Sequence, residues 1–243
     1  MRGGEMPKVS FVGAGPGDPD LITVKGLRLL EEADVLVYTG SLVNPGLVAR
    51  SHAGIKLDSH GMKLGEIVDA MVLHARAGAR VVRLHSGDPA LYGAIVEQMQ
   101  GLSREGIDYE VIPGVSSLFA AAAALRTQLT LGGVAESVII TRPAGATLEE
   151  DEIPALSTHK ATMVFFLGSA HLEEITSRVA CPKETPAAVV YHASWPDQKV
   201  VRGTVSDIAA KARAAGIEKT ALLLIGGVLD PGHSGHHRSQ LYS

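Results

Sequence analysis

The chain has 243 residues, 46% of them hydrophobic, enough to bury one large core or two modest ones. A net charge of −4, from 22 basic and 26 acidic residues, excludes a general surface for nucleic acid or anionic membrane and leaves room for a local basic cluster. One cysteine, Cys181, excludes an internal disulfide and fits a reducing compartment.

The first half alternates strands and helices. Residues 8–12 (KVSFV) read as a buried strand. Val24, Leu27 and Leu30 give residues 23–33 a helical spacing, with Thr23 as N-cap. DVLVY (34–38) reads as a second strand, and residues 64–77 as a helix closed by Gly78. ARVVRL (79–84) is a third strand, residues 91–101 another helix, and DYEVI (108–112) a fourth strand. Strands separated by helices of this length imply a parallel sheet covered on both faces. The texture changes near Pro113. SSLFAAAAAL (116–125) reads as a buried small-residue helix. Strand-like runs follow at 138–142, 161–168, 187–193, 198–203 and 221–228, and QKVVRGTVSDI suggests a hairpin edge. The expected architecture is α/β in two domains, 1–115 with a mainly parallel sheet and 116–243 with a mixed one. The N-terminus lacks the apolar core of a signal peptide, and Met6 is a possible alternative start. No apolar run reaches the roughly 18–20 residues that span a bilayer. A soluble, cytoplasmic protein with neither nucleic-acid nor membrane partners is the expectation.

The loop VGAGPGDPDLIT (12–23) is rich in glycine but departs from the dinucleotide fingerprint. Asp18 stands where the third glycine belongs, and Pro16 removes an amide that would face a pyrophosphate. A tight strand-to-helix turn explains the glycines without a ligand. A loop lining a cleft at the carboxyl end of a parallel strand explains them equally. HSGDPALYG (85–93), PGVSS (113–117) and YTGSLVNP (38–45) follow three other strands, so all four loops belong at the same sheet edge. They carry glycines, hydroxyls and amides but no phosphate-gripping lysine or arginine. A ligand held there is expected to be small, polar and largely without phosphate.

These motifs in order, continued by MVFFLGS (163–169) and LLLIGGV (222–228), resemble the tetrapyrrole methylase family over nearly the whole chain. The resemblance implies a C-methyltransferase using S-adenosylmethionine (SAM), two α/β domains with SAM in the cleft between them, a homodimer, and a tetrapyrrole substrate. Within the family, VYTGSLVNP, KLDSHGMKLGEIV and the terminal RSQLY are most similar to the branch that methylates carbon 11 of precorrin-4 or cobalt-precorrin-4 in cobalamin biosynthesis. A family member acting at another ring carbon is the alternative. Uroporphyrinogen methylases place an Asp-Arg pair where this chain has Thr39 and Gly40, so an acid-base role for that aspartate does not carry over.

The resemblance assigns Ser86, Gly87 and Asp88 to the methionine part of SAM, with Leu91 following on the same turn as a further cofactor-binding position. Ser116 and Ser117 are assigned to its carboxylate at a helix start, with Pro16 from the first loop and Leu167 and Ala193 from the second domain. Ser116 and Ser117 also read as a simple N-cap pair, Asp88 as a cap on a helix beginning at Pro89, and Leu167 and Ala193 as core. Arg126 and Arg142 are the candidate cations for a many-carboxylate macrocycle, and Thr39 and Ser41 face it. Arg83 lies in a buried strand pattern and reads also as half of a structural ion pair. His60 stands where a small residue is expected. No histidine pair has ligand spacing, so no protein-bound metal is expected, and no residue is identified as a catalytic base.

Overall fold

The computed structural model describes residues 8–40, 42–230 and 232. They divide between two compact units, Met1–Ser117 and Leu118–Ser243. Ser41 and the GHHR and RSQLY segments lie outside the described residues.

The first unit runs β1 (Lys8–Gly13), α1 (Val24–Glu32), β2 (Val35–Tyr38), α2 (Pro45–Arg50), β3 (Ile55–Asp58), α3 (Leu64–Arg76), β4 (Val81–His85), α4 (Ile95–Arg104) and β5 (Asp108–Ile112). Its five strands form one parallel sheet in the order β3-β2-β4-β1-β5. Side chains alternate across a strand, so β1 feeds two cores. Val9 and Phe11 join Ile67, Met71 and Leu102 of α3 and α4 on one face. Val12 joins Leu30 of α1 and Leu47 of α2 on the other. Thr23 caps α1 by accepting the Gly26 amide at 3.1 Å, and Gly78, at φ +81°, ends the turn after α3.

The expected helix over 91–101 needs correction, because α4 begins only at Ile95. Residues 88–94 are a turn instead, and Asp88 does not cap a helix at Pro89. Tyr92 and Ala94 hold φ of +54° and +47°, which no α-helix tolerates. The apolar spacing of Leu91, Ile95 and Met99 runs across that break without registering it.

In the second unit, α5 (Ser117–Leu125) crosses the boundary. After it come β6 (Val138–Thr141), α6 (Ile153–Leu156), β7 (Thr162–Phe165), α7 (Leu172–Arg178), β8 (Pro186–Tyr191), β9 (Lys199–Thr204), α8 (Ile208–Ala214) and β10 (Ala221–Ile225). The sheet order is β6-β7-β10-β8-β9, with β6 and β7 parallel and every other pair antiparallel. The hairpin expected around QKVVRGTVSDI is β8–β9, and β9 is the sheet edge. One core face packs Met163, Phe165, Val189 and Leu223 against α7 and α8. The other packs Val164, Ala188, Val190 and Leu224 against the alanines of α5. Small residues let that helix approach the sheet closely, which is why its composition is so uniform. An ion pair on a buried carboxylate pins the loop before α6. Asp151, its side chain 1% exposed, takes Arg178 at 2.7 Å and the amides of Ala144 and Ile153 at 2.7 and 3.1 Å.

Candidate functional site

β1, β4 and β5 are neighbours in the first sheet, so their three following loops leave the same edge side by side. The loops meet at glycine. The Ala14 amide donates to the His85 carbonyl at 2.7 Å, and Gly15 and Gly87 exchange amide-to-carbonyl bonds of 3.2 and 2.8 Å. A Cβ on Gly13 would lie 2.6 Å from Gly114 Cα, and one on Gly114 would collide with the Gly87 carbonyl oxygen. Gly13, Gly87 and Gly114 therefore pack backbone to backbone with no room for a methyl group.

Asp88 fastens this crossing. Its two carboxylate oxygens accept the Ala90 amide at 2.8 Å, in its own loop, and the Gly114 amide at 2.9 Å, in the loop after β5. Gly87, at φ +61°, lies against the start of α5: its Cβ position is 3.7 Å from Ser116 Cα and Ser117 N. Ser116 is buried and Ser117 opens the helix, whose N-terminal end carries the positive end of its dipole. The fourth loop is tied in by Asn44, whose amide donates to the Gly17 carbonyl at 2.8 Å. The structure thus brings Pro16, Ser86, Gly87, Asp88, Ser116 and Ser117 to one sheet edge. Leu91 is held in the same turn by its amide on the Asp88 carbonyl at 3.2 Å, and Thr39 follows β2 at that edge.

In the second unit, β6, β7 and β8 run in one direction, so Arg142, Leu167 and Ala193 gather at one edge of that sheet. Leu167 is 63% exposed at φ +55°, so the core-packing reading does not hold for it. Ala193 is buried between His192 and Ser194, both at positive φ. That strained turn is held by His192 Nδ1, 3.0 Å from the Asp197 carboxylate, and by the His192 amide on the Thr220 carbonyl. Arg142 is bound within its own loop, with Nη1 and Nη2 donating to Thr147 Oγ1 and carbonyl at 2.6 and 2.9 Å. Arg126 stands just past α5, exposed, in no ion pair among the described residues. A cavity of about 450 Å³ opens at the opposite edge of this sheet, beside His159, Lys160, Cys181 and Thr185. It contains none of the expected site residues.

Sequence reasoning missed the polar network beneath the first unit's edge. Among the described residues, Arg83 is not half of an ion pair. It is 4% exposed, its Nε donates to Gln98 Oε1 at 3.1 Å, and its Nη2 reaches Thr39 Oγ1 at 3.5 Å. Burial pushes its guanidinium down to about 10, so it stays charged at neutral pH. His85 is 8% exposed. Burial, and then the charge of Arg83, push its pKa down to about 3. The alternation of β4 put both side chains on one face, and two polar residues two apart in a buried strand were the signal that pointed here.

His85 makes stability depend on pH in a definite sense. Its folded pKa is below its ordinary value of 6.5, so the unfolded chain binds the extra proton. The contribution is complete above pH 6.5 and falls as the pH drops. At pH 5 the loss is about 2 kcal/mol, at 1.36 kcal/mol per unit. Denaturant unfolding at pH 7 and pH 5 measures it, and His85→Gln is expected to flatten the difference.

Can these residues hold SAM? The edge is built of backbone and short polar groups, with glycine at the points of closest approach and the positive end of a helix for a carboxylate. That donor set fits an amino-acid-bearing nucleoside without phosphate.

A profile of the family Tetrapyrrole (Corrin/Porphyrin) Methylases matches residues 8–209. The cobalt-precorrin-4 C(11)-methyltransferase of Methanocaldococcus jannaschii is 51% identical over 97% of this chain and 92% of its own. The precorrin-4 C(11)-methyltransferase of Pseudomonas aeruginosa is 45% identical over 91% and 90%. The crystal structure of a cobalamin-biosynthetic enzyme, cobalt-precorrin-4 methyltransferase CbiF, superposes with a TM-score of 0.90 at 47% identity, covering 93% of this chain and 97% of that one. A uroporphyrin-III C-methyltransferase from Thermus thermophilus, in complex with S-adenosylhomocysteine, matches at 0.78 and 30%, covering 92% and 93%. With its glycine-crossed sheet edge and matches that span nearly its whole length, the chain belongs to the tetrapyrrole (corrin/porphyrin) methylases.

Proposed function

We propose that this chain is a SAM-dependent methyltransferase that methylates carbon 11 of precorrin-4 or cobalt-precorrin-4 in cobalamin biosynthesis. The observation that carries the reading is the crossing of Gly13, Gly87 and Gly114, fastened by Asp88. It offers a methionine-bearing ligand preformed backbone and no cation. When bound, SAM supplies a methyl group already activated by its sulfonium.

The chain's residues bind and orient. Ser86, Gly87, Asp88 and Leu91 receive the methionine part, the amides at Ser116 and Ser117 take its carboxylate, and Pro16 closes the first loop over it. By the family resemblance, Leu167 and Ala193 are further SAM-contact positions, and Thr39, Ser41, Arg126 and Arg142 are substrate-facing ones. Arg126, in no ion pair among the described residues, is the freer cation for a substrate carboxylate, since Arg142 is engaged by Thr147. The nucleophile is a ring carbon of the substrate, so no side-chain nucleophile is required. The protein's contribution is alignment and exclusion of water. The family resemblance supports a cytoplasmic homodimer.

The test is a mass shift. The protein is incubated with SAM and precorrin-4, and separately with cobalt-precorrin-4. A gain of one methyl group, mapped to carbon 11, is expected on at least one of them. The substrate that reacts tells whether cobalt enters before this step. No gain on either, with S-adenosylhomocysteine still bound, would keep the cofactor and overturn the substrate.

A further inference from the structure

Among the described residues, two buried side-chain polar atoms lack a hydrogen-bond partner: Arg83 Nη1 and His85 Nε2. They stand two residues apart on one face of β4, at the edge just described. Arg83 is the more consequential. Its neighbours Gln98 and Thr39 are both neutral, and Gln98 is itself held by its amide on the Ala94 carbonyl at 3.1 Å. No carboxylate among the described residues pairs with the guanidinium. A buried cation without a counter-charge is costly to maintain.

The hydroxyls above it are ordered by elimination. Ser59 Oγ donates to the Tyr38 carbonyl at 3.0 Å, so across the 3.1 Å contact with Thr39 it can only accept. Thr39 therefore donates to Ser59 and receives Arg83. The donor chain runs Arg83, Thr39, Ser59, Tyr38 carbonyl, and its positive end lies under the first residue past β2. Thr39 is half-buried, so that end is close to the surface of the sheet edge.

We propose that Arg83 is a positioning residue: its uncompensated charge, held beneath Thr39, draws one carboxylate of the substrate to the end of β2 and fixes the register of the macrocycle over the edge. This rests on the functional reading above, which supplies a polyanionic substrate. It explains why a charge is kept where the fold alone would do better without it, and why the residue over it carries a neutral hydroxyl.

The test compares Arg83→Met with Arg83→Lys. Arg83→Met is expected to raise the KM for the tetrapyrrole about tenfold or more, with a much smaller change in kcat and S-adenosylhomocysteine affinity within about twofold of wild type. Arg83→Lys keeps the charge and is expected to restore most of the substrate affinity. A purely structural Arg83 predicts the same KM in both variants, and that result overturns the proposal. Should Arg83→Met fail to fold, Arg83→Gln takes its place beside Arg83→Lys, with the same two outcomes. Wild-type protein that binds S-adenosylhomocysteine but methylates neither precorrin sinks the functional reading itself, a different outcome from an active wild type whose Arg83 variants share one KM.

Discussion

Gly114→Ala is expected to abolish measurable S-adenosylhomocysteine binding and to cost at least about 3 kcal/mol of stability, at the upper end of overpacking penalties. The added methyl group meets main chain, not a side chain that can turn aside. The Gly87 carbonyl and Gly13 Cα stand in its place: Gly13 ends β1, which is hydrogen-bonded on either side, and Gly87 is tied to Gly15 by two backbone bonds. Relief requires the loop after β5 to retreat, which breaks the Asp88 bond to the Gly114 amide and withdraws Ser116 and Ser117 from the edge. Calorimetry with S-adenosylhomocysteine and a melting curve read the two effects. Gly65→Ala is the control: it lies in α3 with nothing within 4 Å of its Cβ position. There alanine is expected to leave binding unchanged and to stabilise the helix by up to about 1 kcal/mol. Unchanged binding in Gly114→Ala would remove the crossing from the cofactor site.

The second large effect is expected at Asp88. Its two oxygens serve two amides in two different loops. In Asp88→Asn the side chain keeps one acceptor and turns an NH₂ toward a backbone N–H on the other side. One amide loses its partner and gains a repulsive neighbour. The loss is about 2 kcal/mol, or roughly thirtyfold in ligand affinity if binding must restore the crossing. Asp88→Asn is therefore expected to raise the KM for SAM about thirtyfold while kcat at saturating SAM changes little, because the carboxylate holds loops and does not reach the reacting atoms. An unchanged KM would show that the amides hold their positions without it.

The sheet edge was legible in the sequence because its signals are local. A strand followed by a glycine-bearing loop, four times in the first unit, places four loops together by topology alone. The parallel core of β1, β2 and β4 was legible for the same reason, since all three are short runs dominated by valine, leucine and phenylalanine. β3 was not. Ile55 to Asp58 is an exposed edge strand with no buried face to impose alternation on IKLD. α2, six residues long, carries too few turns for a period, although Asn44 and Pro45 mark its start. The turn at 88–94 was hidden because its apolar residues keep helical spacing while its backbone leaves the helical region. The role of Arg83 was out of reach for a different reason. A sequence shows that a charge lies in a buried strand, but only coordinates show whether anything answers it.

The bonds among Ala14, Gly15, His85 and Gly87 also bear on how fast and at what entropic cost the edge can be occupied. Loops normally order on binding and lose chain entropy when they do. Here the backbone that would touch the ligand is already stitched across neighbouring strands, so little ordering remains. Amide hydrogen exchange at Gly15 and Gly87 should be slow in the free protein and nearly unchanged by ligand, as for interior strands and unlike a mobile lid. Association should then proceed in a single kinetic phase, with specificity residing in dissociation.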